Sequence, residues 1–256
     1  MSGLLEPGFR AAVVGAAGAL GAATAQAFAA AGATVLAYDL DGAAAAGLVA
    51  ELPGEGHLAA ALDAGDREAV ARAATAAGPV DAVVYAAGLA PTFEILDFDW
   101  AGYERTMAVN LTGALHVAQA FARAMVEAAR PGSFVFLSST AGKRGEAGAA
   151  AYCASKFALQ GVVESFAAEV GRHGIRVNAI CPGNVDTPML QRVAAAQAAR
   201  DGADAAAVLA GYAGETALGR LVAAPEVGRT AVWLASPLAS GVTGESVNVD
   251  AGALTG

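Results

Sequence analysis

Ala11-Ala12-Val13-Val14-Gly15-Ala16-Ala17-Gly18-Ala19-Leu20-Gly21 leads into an alanine-rich segment, Ala22 to Ala31, that ends at Gly32. A short, wholly apolar run reads as a strand buried on both faces, the glycines permit a tight turn, and alanine is the strongest helix former. Strand, glycine turn and helix in that order bring backbone close to an anion at the positive end of the helix, where a pyrophosphate sits. A second apolar strand, Thr34 to Tyr38, ends in Asp39 followed by Leu40, and an acid at that place binds an adenosine ribose. The unit reads as a nucleotide site, with a merely structural tight turn as the alternative.

Strands and helices continue to alternate along the chain. A helix from about Ala43 to Leu52 is followed by a strand, His57 to Leu62, and then Asp63-Ala64-Gly65-Asp66, with Asp66 placed to cap the next helix. Val80 to Tyr85 runs into Ala86-Ala87-Gly88; a long helix-like stretch carries Asn110 and continues over Thr112 to Ala129; and Ser133 to Ser138 is again apolar. A helix through Tyr152 precedes the strand Ile175 to Ile180, and the chain finishes with a helix, Pro225 to Ala235, and a strand, Ser246 to Asp250. This order predicts one α/β domain over residues 1–256, a doubly wound Rossmann-type parallel sheet with helices on both faces. Met189 to Gly214, alanine-rich with scattered charges, reads as a helical lid over a substrate, at about 188–214.

Composition narrows the partners. A chain of 256 residues, 56% hydrophobic, buries a large core without disulfides or metal. Its net charge of −9, with no cluster of Lys and Arg, disfavours nucleic acid. No apolar run reaches the roughly 18 residues of a membrane span, the opening Met1 to Pro7 lacks the pattern of a signal peptide, and the two cysteines, Cys153 and Cys181, are not spaced for metal. The expectation is a cytoplasmic protein with a small-molecule partner, binding no metal, nucleic acid or membrane.

The chemistry is concentrated in Tyr152-Cys153-Ala154-Ser155-Lys156, with Ser139 thirteen residues upstream at a strand end. On a helix, Tyr152 and Lys156 are i and i+4 neighbours, so their polar ends share one site. A phenol ionises near pH 10, and an adjacent ammonium is expected to lower that value, making Tyr152 a general acid/base. The bland alternative is a surface tyrosine with a solvated lysine.

This Ser, Tyr-x-x-x-Lys arrangement, together with Gly15 to Gly21, Asp39, Asn110 and Pro182-Gly183-Asn184-Val185-Asp186-Thr187, resembles the short-chain dehydrogenase/reductase family over nearly the whole chain. The resemblance implies an NAD-dependent oxidoreductase that moves hydride between the nicotinamide and a secondary alcohol or ketone. Tyr152 then removes the hydroxyl proton, Ser139 hydrogen-bonds the reacting oxygen, Lys156 holds the nicotinamide ribose, and Asn110 with a water passes the proton to solvent. Cofactor contacts are implied for Gly15, Gly18, Ala19, Leu20 and Gly21, for Asp39 and Leu40, for Asp63 and Ala64 at the adenine edge, and for Ala87 and Gly88. They are implied also for Tyr152 and Lys156, for Pro182, Gly183 and Val185 at the carboxamide, and for Thr187 at the amide or pyrophosphate. Asp63 reads equally as a turn or capping aspartate.

The chain departs from the family pattern at Ala19, where the middle glycine of G-x-x-x-G-x-G falls, at Val14, and at Ala86-Ala87, where two asparagines fall. The apolar circumference of Thr112 to Ala129 and Phe157 to Val170 suits helix contacts between subunits, and the family forms homodimers and homotetramers through these helices. Two other functions fit the pattern: an NADPH-dependent 3-oxoacyl-carrier-protein reductase, which Asp39 disfavours, and a non-enzymatic NAD(H)-binding sensor or scaffold. Lys143 and Arg144, just after Ser139, could attract an acidic substrate, or could be solvated loop residues. The small side chains of Ala141 and Ala149 to Ala151 leave room for a medium-sized or cyclic neutral alcohol.

Overall fold

All seven expected strands form and join one parallel sheet. In the computed structural model, which describes residues 3–254, they are β1 (Arg10–Val14), β2 (Thr34–Asp39), β3 (Leu58–Ala61), β4 (Ala82–Tyr85), β5 (Gly132–Leu137), β6 (Ile175–Pro182) and β7 (Ser246–Val249). Their order in the sheet is β3-β2-β1-β4-β5-β6-β7. The chain thus winds outward from β1 in one direction and then, from β4, in the other, and the two halves part between the carboxyl ends of β1 and β4. Register brings those ends level: Val14 pairs with Tyr38 on one side and with Tyr85 on the other. The glycine turn, Asp39 and Ala86 therefore gather on one edge, which is where open α/β sheets bind ligands.

Alternation along β1 shows why both faces carry helices. Ala11 and Val13 belong to a core that includes Phe28 of α1 (Ala19–Ala30), Ala45 of α2 (Gly42–Glu51) and Val227 of α9 (Ala224–Ala235). Ala12 and Val14 belong to a second core with Val70 of α3 (Arg67–Ala77), Phe121 of α5 (Gly113–Glu127) and Leu159 of α6 (Ala150–Val170). Successive strand residues point to opposite faces, so a strand apolar at every position must be covered twice. Asp66 caps α3 as expected, its carboxylate accepting from Glu68 and Ala69 N–H.

Two features add to the sequence reading. The long helix-like stretch around Asn110 is two helices, α4 (Trp100–Met107) and α5, joined by a π-helical turn at Ala108–Thr112. Such a turn widens the helix and disturbs the regular ladder of carbonyl partners, and the buried Tyr85 hydroxyl donates to Val109 O at 2.6 Å. The segment read from sequence as a helical lid forms two helices, α7 (Pro188–Asp201) and α8 (Ala205–Gly214), tied together by the Tyr212 hydroxyl donating to Gln197.

The glycine turn is tight in a specific way. At Gly21 an added Cβ would run into Gly15 and lie 2.9 Å from Ala16 Cα, and at Gly15, with φ +81°, it would strike Ala87. At Gly18 it would meet only Gly15 O, at an ordinary 3.5 Å. Ala19 is accommodated as the first residue of α1. Gly21→Ala is therefore expected to destabilise the fold by about 1–3 kcal/mol through overpacking, whereas Gly18→Ser at the N-cap should be neutral or stabilising; urea unfolding of the two variants measures the difference.

Candidate active site

Ser139, Tyr152 and Lys156 converge because the N-terminal half of α6 packs against the loop after β5. Tyr152 lies in the first turn of α6 and Lys156 one turn further on. Lys156 is buried, and its Nζ donates to Leu137 O at 2.7 Å, at the last residue of β5. Ser138 Oγ donates to Lys156 O at 3.3 Å. Ser139 starts a 3-10 turn, Thr140–Gly142, its hydroxyl oxygen accepting from Ala141 N–H. Gly142 lets this turn lie directly on α6, since a Cβ there would come within 2.8 Å of the Lys156 carbonyl. Nothing local in the sequence marks Gly142 as a site residue; only the approach of two segments does.

Two cavities meet at Tyr152. A groove of about 600 Å³ runs from Asp39 and Asp41 past the glycine turn to Lys156, and a recess of about 150 Å³ lies beyond. Tyr152 lines both, Ser139 lines only the recess, and Lys156 lines only the groove. The residues expected at the cofactor fall largely along the groove: Gly15, Gly18, Ala19, Leu20, Gly21, Asp39, Leu40, Asp63, Ala64, Ala87, Gly88 and Thr187. Pro182, Gly183 and Val185 line the recess instead, Val185 on a bridge to Val222. Thr187 lines both, but its hydroxyl is already engaged, donating to Val185 O and accepting from Leu190 N–H as the cap of α7. Asp63 is also partly engaged, accepting from Gly65 N–H in a turn.

The groove fits a dinucleotide. No side chain caps α1, so its first-turn N–H groups, which have no partner within a helix, remain available to an anion. Asp39 accepts from Ala17 N–H through Oδ2 at 2.8 Å and from Asp41 N–H through Oδ1 at 3.1 Å. A carboxylate has about four lone-pair sites, so it retains acceptor capacity for ribose hydroxyls. Arg192 of α7, which the sequence reading passed over, lines the groove as well.

One expectation is corrected, and one open choice is narrowed. Tyr152 is not lowered in the protein alone: burial pushes its phenol up to about 12, the Ser139 hydroxyl offsets part of this, and the nearby Glu146 carboxylate adds to it. The Lys156 ammonium, 5.7 Å from the ring centroid, is bonded to Leu137 O, and burial brings its own pKa down to about 8. The i,i+4 spacing fixes proximity, but desolvation outweighs the charge. Secondly, Lys143 and Arg144 do not line the recess; Lys143 Nζ donates to Ser246 O at 2.7 Å, and the charged side chain facing the recess is Glu146. Thr92, Met189, Leu190 and Val193 line the recess, while Phe93, Ala141 and Tyr212 do not.

Asn110 is fully buried in the π turn, and both ends of its amide are engaged within the protein. Nδ2 donates to Leu89 O and to Ser155 Oγ, both at 2.9 Å, and Oδ1 accepts from Leu89 N–H at 2.8 Å. It thereby ties the loop after β4 to the helix that carries Tyr152 and Lys156. Along with Tyr85, it stiffens the part of the sheet edge where Ala86 and Ala87 offer no side-chain bonds.

A buried ammonium makes stability depend on pH. The unfolded chain holds the Lys156 proton up to its ordinary value of 10.5, whereas the folded chain releases it near 8, so the native state gains as pH rises between the two. Tyr152 opposes this above about pH 10, because its proton is held more tightly folded than unfolded. Relative to Lys156→Met, the unliganded protein should gain up to about 3 kcal/mol between about pH 8 and 10; urea unfolding across that range tests it, and a flat difference would contradict a buried, depressed lysine.

A family model described as enoyl-(acyl carrier protein) reductase matches residues 15–254. The chain is 33% identical to a sorbitol dehydrogenase of Cereibacter sphaeroides over 244 residues, covering 94% of this chain and 95% of that one. Among solved structures it resembles a sorbitol-6-phosphate 2-dehydrogenase of Erwinia amylovora, with a TM-score of 0.91 and 28% identity over 96% of this chain and all of the other. It also resembles a short-chain type dehydrogenase/reductase of Mycobacterium marinum, with a TM-score of 0.88 and 27% identity over 98% and 97% of the two chains. With this agreement in sequence and structure over nearly the whole chain, the chain belongs to the short-chain dehydrogenase/reductase family, as an oxidoreductase acting on alcohol groups.

Proposed function

We propose that the protein interconverts a secondary alcohol and its ketone with NAD(H) as the cofactor, on a polyol-like substrate. The observation that carries this reading is the position of Tyr152 on the wall common to groove and recess, with Ser139 on the recess side and Lys156 on the groove side. When bound, the nicotinamide accepts or supplies the hydride. The protein's own part is proton transfer and orientation. In reduction, the Tyr152 phenol, protonated throughout the neutral range, donates to the forming alkoxide while the Ser139 hydroxyl hydrogen-bonds the same oxygen. In oxidation, the phenolate takes the hydroxyl proton. Lys156 keeps one N–H on Leu137 O and has others for a ribose hydroxyl. Asn110 acts by holding α6 and the Leu89 loop in place. The helices α7 and α8 form the lid over the substrate, and a single domain spans residues 1–256.

The preference for NAD(H) over NADP(H) rests on charge. Asp39, Asp41 and Asp63 line the adenosine end of the groove, and its two cationic side chains, Lys156 and Arg192, belong to α6 and α7. The protein is further read as a cytoplasmic homodimer or homotetramer. Exposed Leu115 on α5 and Phe157 on α6 support pairing of those helices, and no helix among the described residues is long and apolar enough to cross a membrane.

Two outcomes follow. Tyr152→Phe should lower turnover by about 10²- to 10⁴-fold while NADH binding persists, measured by steady-state rates beside fluorescence titration of NADH; retained activity would defeat the assignment. Wild type should favour NAD over NADP by at least about tenfold in kcat/KM, because a carboxylate and a 2'-phosphate repel at close range. Asp39→Ala should narrow that ratio, and equal use of the two cofactors by wild type would contradict the reading.

A further inference from the structure

The sorbitol and sorbitol-6-phosphate dehydrogenases to which the chain is similar pose a question that fold cannot answer: whether the substrate carries an anionic group. Charge is divided between the two cavities. Cations reach the groove, as Lys156 and Arg192, but none lines the recess, where Glu146 is the one charged side chain among the described residues. Cations near by are engaged or lie outside the lining. Lys143 bonds Ser246 O, and Arg200, which comes near Gly148, is paired with Glu94 and Asp201. Glu146 forms no ion pair among the described residues, and its surroundings raise its carboxyl above the usual range despite Arg144.

Around the same recess stand Thr92, Thr140 and Asn184, whose side chains make no hydrogen bond to another described residue. Together with Glu146 they offer hydroxyl donors and acceptors, an amide and a carboxylate with free lone pairs. Such a wall matches a molecule with several hydroxyl groups. It has no cationic partner for a phosphate or a carboxylate.

We infer that Glu146 is the specificity-determining residue of the recess, accepting hydrogen bonds from hydroxyls beside the reacting carbinol and excluding phosphorylated or carboxylate-bearing substrates. This rests on the dehydrogenase reading above. Discrimination comes from both signs of interaction: a charged acceptor strengthens the hydrogen bond of a neutral hydroxyl, and the same charge repels an anion placed beside it. Thr92, Thr140 and Asn184 position the rest of the chain of hydroxyls.

The experiment compares kcat/KM for matched pairs of secondary alcohols, each a neutral polyol and its terminal phosphate ester, sorbitol and sorbitol 6-phosphate among them. Wild type, Glu146→Gln and Glu146→Arg are assayed at mildly alkaline pH, where the carboxyl is ionised. Wild type should favour the neutral member by about tenfold or more. Glu146→Gln should raise kcat/KM for the phosphate ester while lowering it for the polyol, mainly through KM, and Glu146→Arg should invert the preference. NADH titration and circular dichroism check that each variant is folded. A wild type faster on the phosphate esters, or a Glu146→Gln that shifts both members by the same factor, overturns the inference while leaving the dehydrogenase intact. No turnover of any member in either direction would bring down the dehydrogenase reading, and this inference with it.

Discussion

The buried ammonium of Lys156 is the constraint on which the rest of the site depends. An unpaired cation in the interior is costly, so the protein must supply hydrogen bonds where it buries one. Leu137 O supplies the bond, Ser138 Oγ returns one to the Lys156 carbonyl, and Gly142 brings the 3-10 turn down on the same carbonyl. Each of these links the end of β5 to the first turns of α6, and each therefore also sets where Ser139 stands relative to Tyr152. Behind them, Asn110 joins Ser155 of α6 to Leu89 after β4. The proton-transfer geometry is thus a by-product of holding one charge in place.

The architecture was legible in the sequence for a plain reason. Strands buried on both faces must be apolar at every position, and Ala11 to Val14 or Phe134 to Leu137 have no other reading beside glycine and proline boundaries. The positions of Ser139, Tyr152 and Lys156 were legible too, because i,i+4 spacing on a helix is geometry rather than environment. Asp39 follows from the end of β2 in the same way. The π turn at Ala108–Thr112 carries no local signature; it is held from outside by Tyr85, a residue of another element.

What sequence does not carry is the direction of loop side chains and the dielectric around them. Lys143, Arg144 and Glu146 lie within four residues on one loop, and adjacency alone makes any of them a candidate wall of the recess. The turn sends Lys143 to the edge strand β7 and leaves Glu146 on the recess. The ionisation of Tyr152 fails for a related reason. Spacing places the ammonium near by, but burial of both groups disfavours their charged forms, raising the phenol and lowering the lysine together. A pair that looks from sequence like phenolate and ammonium is, in the protein alone at neutral pH, phenol and ammonium.

The same dependence of function on packing appears at Asp39. Its carboxylate does not wait for a ribose; it already holds Ala17 N–H inside the glycine turn and Asp41 N–H at the start of α2. Removing that charge therefore acts twice. It removes the repulsion that disfavours a 2'-phosphate, and it frees the turn whose Gly15 and Gly21 fit against neighbouring backbone with no room for a methyl group. A loosened turn holds the pyrophosphate of either cofactor less well, so relaxed selectivity at this position arrives with weaker binding of both. Recovering NADP use without that loss requires keeping an acceptor for Ala17 N–H while supplying a cation at the ribose, and a single substitution at position 39 cannot do both.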